Sequence, residues 1–333
     1  MLAEIRKDYF LDKYVIITPG RAKRPRGVKA KTIFSQEKFC PFCPKGIEKK
    51  LIIKAYPGFH PVKCRSTAIS PEAKLFNGVK KNEPACAGRP WSAMVIKNKY
   101  PIITLNNPKA YGQHEVIIET PDHGKELSQL SVKQITNLLN VFKNRTEILG
   151  KISKIDYILI FKNEGGKAGA SLTHAHCQVF ASEILPPDLS EEFTAMRQYQ
   201  QKHNSCPYCD IIKKEEKSSR RIYADKHIVA FAPYASAYHY ETWIFPRRHI
   251  DNIIHLSEKE TVALAEILKK VLKKIYQLGL SYNLFLHQVV SNKNQHFYLK
   301  IQPREAVWGG VELGSGIIIN SLAPEKAAAY LRK

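Results

Sequence analysis

The sequence predicts an α+β fold built from two homologous units, each an antiparallel sheet with one long helix. Three observations predict it. Two near-identical CxxC pairs stand far apart, Cys40 and Cys43 in "FCPFCPKG" and Cys206 and Cys209 in "SCPYCDII", each with proline after the first cysteine and an aromatic residue before the second. The landmarks between and beyond them recur in one order. Both copies also alternate short β-rich runs with a single long helical pattern, which suits a layer of helix on antiparallel sheet.

Taken in order, "HEVIIETPDHGKELSQLS" aligns with "HYETWIFPRRHIDNIIHLS". Each holds a β-rich run with a glutamate, Glu115 or Glu241, then a proline, then a histidine eight residues past the glutamate, His123 or His249. Leu-Ser follows, and the serines Ser131 and Ser257 are placed as helix N-caps. The helical patterns run from Val132 to Leu149 and from Val262 to Leu278, and each meets a glycine, Gly150 or Gly279, as a C-cap. Strands then begin near Tyr157 ("YILIFKN") and Tyr282 ("YNLFLHQ"), and after a polar loop a histidine, His174 or His296, opens another strand. The expected units are residues 1–190 and 191–333, with "ILPPDLSEEFTAMRQYQQKHNS" a partly helical connector.

At 333 residues, with 44% hydrophobic and 25% charged, the chain has the length and balance of two globular domains. Its start breaks every apolar stretch with charge, and no run has the length of a membrane span, so a cytoplasmic protein is expected. The formal charge of +22 favours anionic partners, though the lysines of "EILKKVLKKIY" fall at helical spacing and read as a solvated face. Seven cysteines, an odd number without a secretion signal, argue against a disulfide framework.

The repeat carries histidines along with the cysteines. Cys40, Cys43, His123 and His174 form one set, and Cys206, Cys209, His249 and His296 the other. Two cysteines and two histidines close a tetrahedral zinc shell with no place for water, so two structural zinc ions per chain are expected. Redox-active thiols are the competing reading, but no thioredoxin-like βαβ pattern surrounds them.

In "SLTHAHCQVF", His174, His176 and Gln178 share a face if the run is a strand. His174 is spoken for by metal, whereas His176 has no counterpart, since Tyr298 stands two residues after His296. His176 therefore has a task that only one half needs. A neutral imidazole, its other nitrogen held by a hydrogen bond, is a competent nucleophile toward phosphorus. The loop before it, "FKNEGGKAGASLTHAH", is rich in glycine and donors, and "TPGRAKRPRG" adds Arg21, Lys23, Arg24 and Arg26.

With "RKDYFLDKYVIITPGRAKRP", "CPFC", "TPDH", "HAHCQ" and "GGVELGSG" in place along nearly the whole chain, the sequence resembles the galactose-1-phosphate uridylyltransferase family, the nucleotidyltransferase branch of the histidine-triad superfamily. The resemblance implies two histidine-triad-like units, of which only the first is catalytic. It implies double displacement: His176 attacks the α-phosphorus of UDP-glucose, Gln178 bonds the phosphoryl oxygens, and a hexose 1-phosphate takes the nucleotidyl group. It places Arg21, Arg24, Asn98, Asn163, Gly169 and Ser171 at the nucleotide and its phosphates, and Glu312 at the sugar across a homodimer interface. Ala175 between the histidines, Ala306 and Val311 in the sugar loop, and Cys206 and Cys209 look closer to a sister group that transfers adenylyl from ADP-glucose to phosphate. A zinc-containing nucleic-acid-binding protein is a further alternative, favoured only by charge, and the two CxxC pairs are too distant for one zinc ribbon.

Overall fold

The computed structural model describes residues 3–19, 40–57, 91–290, 295–305 and 307–333. In chain order the elements are β1 (Glu4–Lys7), β2 (Tyr14–Ile17), β3 (Ile52–Pro57), β4 (Trp91–Lys97), β5 (Gly112–Ile118), α1 (Val132–Leu149), β6 (Tyr157–Glu164) and β7 (His176–Ser182). After the connector helix α2 (Pro187–His203) come α3 (Pro207–Glu215), β8 (Arg221–Ala224), β9 (Ile228–Phe231), β10 (Thr242–Pro246) and α4 (Glu258–Gln277). The chain closes with β11 (Tyr282–His287), β12 (Tyr298–Pro303), α5 (Gly310–Ser315), β13 (Ile318–Asn320) and α6 (Pro324–Arg332).

Among the described residues ten strands form one sheet in the order β3-β4-β5-β7-β6-β11-β12-β10-β9-β8. Read from its two ends, this order is the same series twice. β5, β7 and β6 correspond to β10, β12 and β11, and the halves meet edge to edge where β6 pairs antiparallel with β11. The expected units are thus two half-sheets fused into one.

Both long helices cap as the serines predicted. Ser131 and Ser257 accept from the backbone N–H groups of Gln134 and Glu260, whose side chains return the bond. α1 and α4 pack side by side on one face of the sheet, over a core that includes Phe142, Leu139, Leu264, Leu268 and Leu272. The lysines of α4 face outward, as their spacing predicted. The two landmark glutamates do different work. Glu115 takes a two-pronged bond from buried Arg145 of α1, at 2.8 and 2.7 Å, whereas Glu241 accepts from the Trp243 indole and from the Ala237 backbone.

Two features depart from the sequence reading. The strands that carry the repeated histidines begin at His176 and Tyr298, so His174 and His296 lie in the turns just before them. Residues 4–17 also pack on the second half: β2 pairs with β1 and, in parallel, with β13, and Arg6 bonds the Tyr234 carbonyl and Glu325. No helix among the described residues is long and apolar enough to cross a membrane.

Candidate active site

Alternation along β7 sends Cys177, Val179 and Ala181 into the helix-side core and turns His176 and Gln178 to the opposite face. The segment Cys40–Ile47 lies on that outer face. There Phe42 packs with Ile47, Trp91 and Met94, and its ring meets the His176 imidazole edge-on with centroids 5.0 Å apart.

The first metal set is assembled. Ligand atoms of Cys40, Cys43, His123 and His174 all lie within 4.8 Å of one another. His174 Nδ1 is 3.7 Å from both sulfurs, and His123 Nδ1 is 3.5 Å from Cys43 Sγ. A tetrahedral zinc with ordinary bond lengths would hold sulfur and nitrogen about 3.5 Å apart, so the donor set fits that ion. His174 Nε2–H donates to the Thr120 carbonyl at 2.8 Å, which leaves the Nδ1 lone pair facing the sulfurs as a metal ligand requires.

The second set is assembled in part. Cys206, Cys209 and His249 form a compact group, with His249 Nδ1 3.4 Å from Cys209 Sγ. A hydrogen bond from Cys209 holds the Cys206 thiol down to about 4, where it is a thiolate at neutral pH. His296 stays outside that compact group. It bonds the Phe297 carbonyl through Nδ1, so it turns the opposite nitrogen from His174 toward its neighbours. Its Nε2 is buried without a hydrogen-bond partner among the described residues, and its ring lies 5.1 Å from that of His249. An orphaned imidazole nitrogen beside three ligands fits a fourth metal bond.

His176 itself is 8% exposed, and its Nδ1–H donates to the His174 carbonyl at 2.8 Å. A carbonyl only accepts, so the proton is fixed on Nδ1 and the Nε2 lone pair is free for attack. Burial first, then the Lys162 ammonium, hold the imidazole down to about 4, so it is neutral at pH 7. No carboxylate is needed to orient it. Gln178 is oriented by a similar chain. The Ile102 N–H donates to His114 Nδ1 at 3.2 Å, which puts the His114 proton on Nε2, and Nε2–H donates to Gln178 Oε1 at 2.9 Å. The Gln178 NH2 is therefore the end left to meet an anion.

Residues 2–186 match the family model of the galactose-1-phosphate uridyl transferase N-terminal domain, and residues 192–308 match that of its C-terminal domain. The chain belongs to the galactose-1-phosphate uridylyltransferase family. Among curated relatives, the ADP-glucose phosphorylase of Arabidopsis thaliana is 31% identical, covering 99% of this chain and 92% of its own. The galactose-1-phosphate uridylyltransferase of Thermotoga maritima is 27% identical, covering 100% and 98%. Of solved structures, an Arabidopsis thaliana ADP-glucose phosphorylase with bound ADP-glucose gives a TM-score of 0.79 at 29% identity, covering 100% of this chain and 99% of that one. A uridylyltransferase gives 0.72 at 27% identity, covering 99% and 97%.

For this member of the uridylyltransferase family, the fold brings several of the expected contacts together. Asn98 follows β4, with its Nδ2 3.2 Å from His114 Nε2 and 3.4 Å from Nδ1, so it lies beside the imidazole that orients Gln178. Asn163 sits on β6 two residues past Phe161, the register partner of Gln178, so it shares the face of His176. Gly169, with φ 85°, and exposed Ser171 belong to the loop between β6 and β7. Glu312 lies apart on exposed α5, where its carboxylate accepts from the Gly309 N–H, and among the described residues no contact joins it to His176. Arg21 and Arg24, with Lys23, Arg26 and Ala306, lie outside the described residues. Sequence reasoning missed His114. Its place one residue before Glu115 in "HEVII" was visible, but only strand pairing brings it beside Gln178, 64 positions away.

Proposed function

We propose that the chain transfers a nucleoside monophosphate between phosphate-bearing acceptors by double displacement through His176, which the held tautomer of that imidazole supports above all. In the first step His176 Nε2 bonds to the α-phosphorus of a nucleotide sugar while the phosphoanhydride P–O bond breaks, releasing sugar 1-phosphate. In the second, an oxygen of an incoming phosphate attacks the same phosphorus and frees the imidazole. The released sugar 1-phosphate and the incoming acceptor are both phosphates, which are weakly basic, so no general acid is required. The Gln178 NH2 steadies charge on the phosphoryl oxygens, and Asn98, Asn163, Gly169, Ser171, Arg21 and Arg24 hold the nucleotide and its phosphates.

On this reading residues 1–190 are the catalytic unit and 191–333 a degenerate one that keeps its metal set for folding. Each set takes one zinc ion, whose chemistry is structural because four protein donors leave no open position. Glu312 reaches the sugar of a second copy in a homodimer, a reading supported by exposed Val307, Val311 and Leu313 around it.

The donor and acceptor proposed are UDP-glucose and a hexose 1-phosphate. A second reading, ADP-glucose with inorganic phosphate, is favoured by the likeness to the Arabidopsis phosphorylase and by the two cysteines of the second metal set. Incubating the protein with UDP-glucose and ADP-glucose labelled at the α-phosphorus separates them: the true donor leaves label on His176, and galactose 1-phosphate or phosphate then removes it. Label from neither donor would dispose of both.

A further inference from the structure

The loop that leads into the nucleophile is seated on the other half of the molecule. Gly165, which opens it, has φ 78° and lies so close to Ser281 that a Cβ there would stand 2.3 Å from Ser281 Oγ. Two residues on, Asn283 of β11 is the register partner of Asn163 across the seam between half-sheets. Its Nδ2 reaches two acceptors, the Ala168 carbonyl at 2.9 Å and Asn163 Oδ1 at 2.8 Å.

These two bonds fix the orientation of both amides. A backbone carbonyl can only accept, so the atom of Asn283 that faces Ala168 is its nitrogen. The second proton of that nitrogen points at Asn163, which must answer with oxygen. The Asn163 NH2 is thereby turned away from the seam and toward the loop, where a Cβ on Gly169 would stand 3.9 Å from it. Without Asn283 the two ends of the Asn163 amide are nearly the same shape. One offers a donor to phosphate and the other a repelling carbonyl.

We infer that Asn283, a residue of the noncatalytic half, is a positioning residue for nucleotidyl transfer: bonded to Ala168 and Asn163, it holds the glycine loop and keeps the Asn163 donor facing the phosphates. This rests on the reading of that loop as the phosphate-holding one. It also gives the second half a direct part in the reaction.

The experiment compares Asn283→Ala, Asn283→Asp, Asn163→Ala and the Asn163→Ala/Asn283→Ala double variant. The rate of label transfer to His176 is measured with whichever of UDP-glucose and ADP-glucose labels the wild-type protein. Asn283→Ala is expected to lower kcat/KM about tenfold, the loss of one oriented bond to a charged group. Asn283→Asp matches the native shape but can only accept, so it repels the Ala168 carbonyl, pulls the Asn163 NH2 toward itself and should cost more than alanine at a temperature where both variants are fully folded. In the Asn163→Ala background, removing Asn283 should cost less than it does alone, because only its bond to the loop at Ala168 is left to lose. Undiminished labelling by Asn283→Ala, additive losses in the double variant, or a fall in the Asn283→Asp midpoint that accounts for its lost rate would each overturn the inference. If His176→Ala still took label, the nucleotidyl-histidine reading would fall and this inference with it, so the two failures are told apart by which variant misbehaves.

Discussion

His176 and Tyr298 occupy the same step of the repeated strand, and their surroundings have diverged in opposite directions. Around His176 one aromatic ring, Phe42 of the CPFC segment, supports the imidazole, while Gln178 stays half-buried with its amide oriented by His114. Around Tyr298 the same face is filled. Its ring stacks on His287 at 4.4 Å and Phe245 at 4.5 Å, with Trp243 and Tyr208 at 5.2 and 5.4 Å. Lys300, in the place of Gln178, sits over Trp243, and Tyr9 and Phe10 cover the cluster. One copy leaves this step to an imidazole beside Phe42 and the other fills it with packed rings. A cluster of cysteine and histidine that could hold a metal is present in both.

The largest effect that tests this contrast is the loss of the nucleophile. His176→Ala should abolish nucleotidyl transfer, by on the order of 10⁴-fold or more, with fold and zinc content intact. Peptide mapping of the trapped intermediate should find label on His176, and label in the carboxy-terminal half would reverse the assignment of the two units. Gln178→Ala comes next. Removing one donor to the phosphoryl oxygens should cost about 10²-fold in kcat while the protein still takes label.

Metal loss separates the halves in a different way. Cys43→Ser and Cys206→Ser should each remove one zinc, read by elemental analysis, and lower the thermal midpoint. Only Cys43→Ser should also disable labelling in the protein that stays folded, because its segment carries Phe42 against His176. Equal loss of labelling in both variants would mean that the second metal set serves the site as well.

A smaller effect concerns Glu192 of the connector helix, held between His287 at 2.9 Å, Gln295 at 3.1 Å and the Tyr208 hydroxyl. Burial opposes its charge, but His287 and the two donors outweigh burial and draw the carboxyl down to about 2. Its folded pKa lies below the unfolded one, so its stabilisation is present above about pH 4.5 and is lost as the pH falls toward 2. Glu192→Gln should therefore flatten the acid limb of the stability curve, by up to about 3 kcal/mol at neutral pH, while transfer chemistry is spared. A variant whose acid unfolding matched the wild type would remove Glu192 from that account. Smallest of all, Tyr298→Phe should change activity less than about twofold, since a buried phenol in an aromatic stack has no part in transfer.

Much of this was legible in the sequence because it repeats. Order and spacing alone matched the two CxxC pairs, the capping serines, both long helices and the strand starts at Tyr157 and Tyr282. The lone histidine stood out as what the repeat did not preserve. What stayed hidden depends on pairing between distant segments. His114 and Asn283 carry no motif, and each acts only by meeting a partner 64 or 120 positions away. Which ring nitrogen faces the other ligands was hidden as well: order along the chain matches His296 to His174, but His174 bonds a carbonyl through Nε2 and His296 through Nδ1.

The seam between β6 and β11 decides what either half is worth alone. Cut there, the first half would end on β6 with the backbone edge of its last four residues, Phe161, Lys162, Asn163 and Glu164, left open, which is a template for joining another chain. Each half is thus the other's edge guard. Tandem fusion makes that guard permanent and independent of concentration, so each half keeps a covered edge whichever of them carries the chemistry.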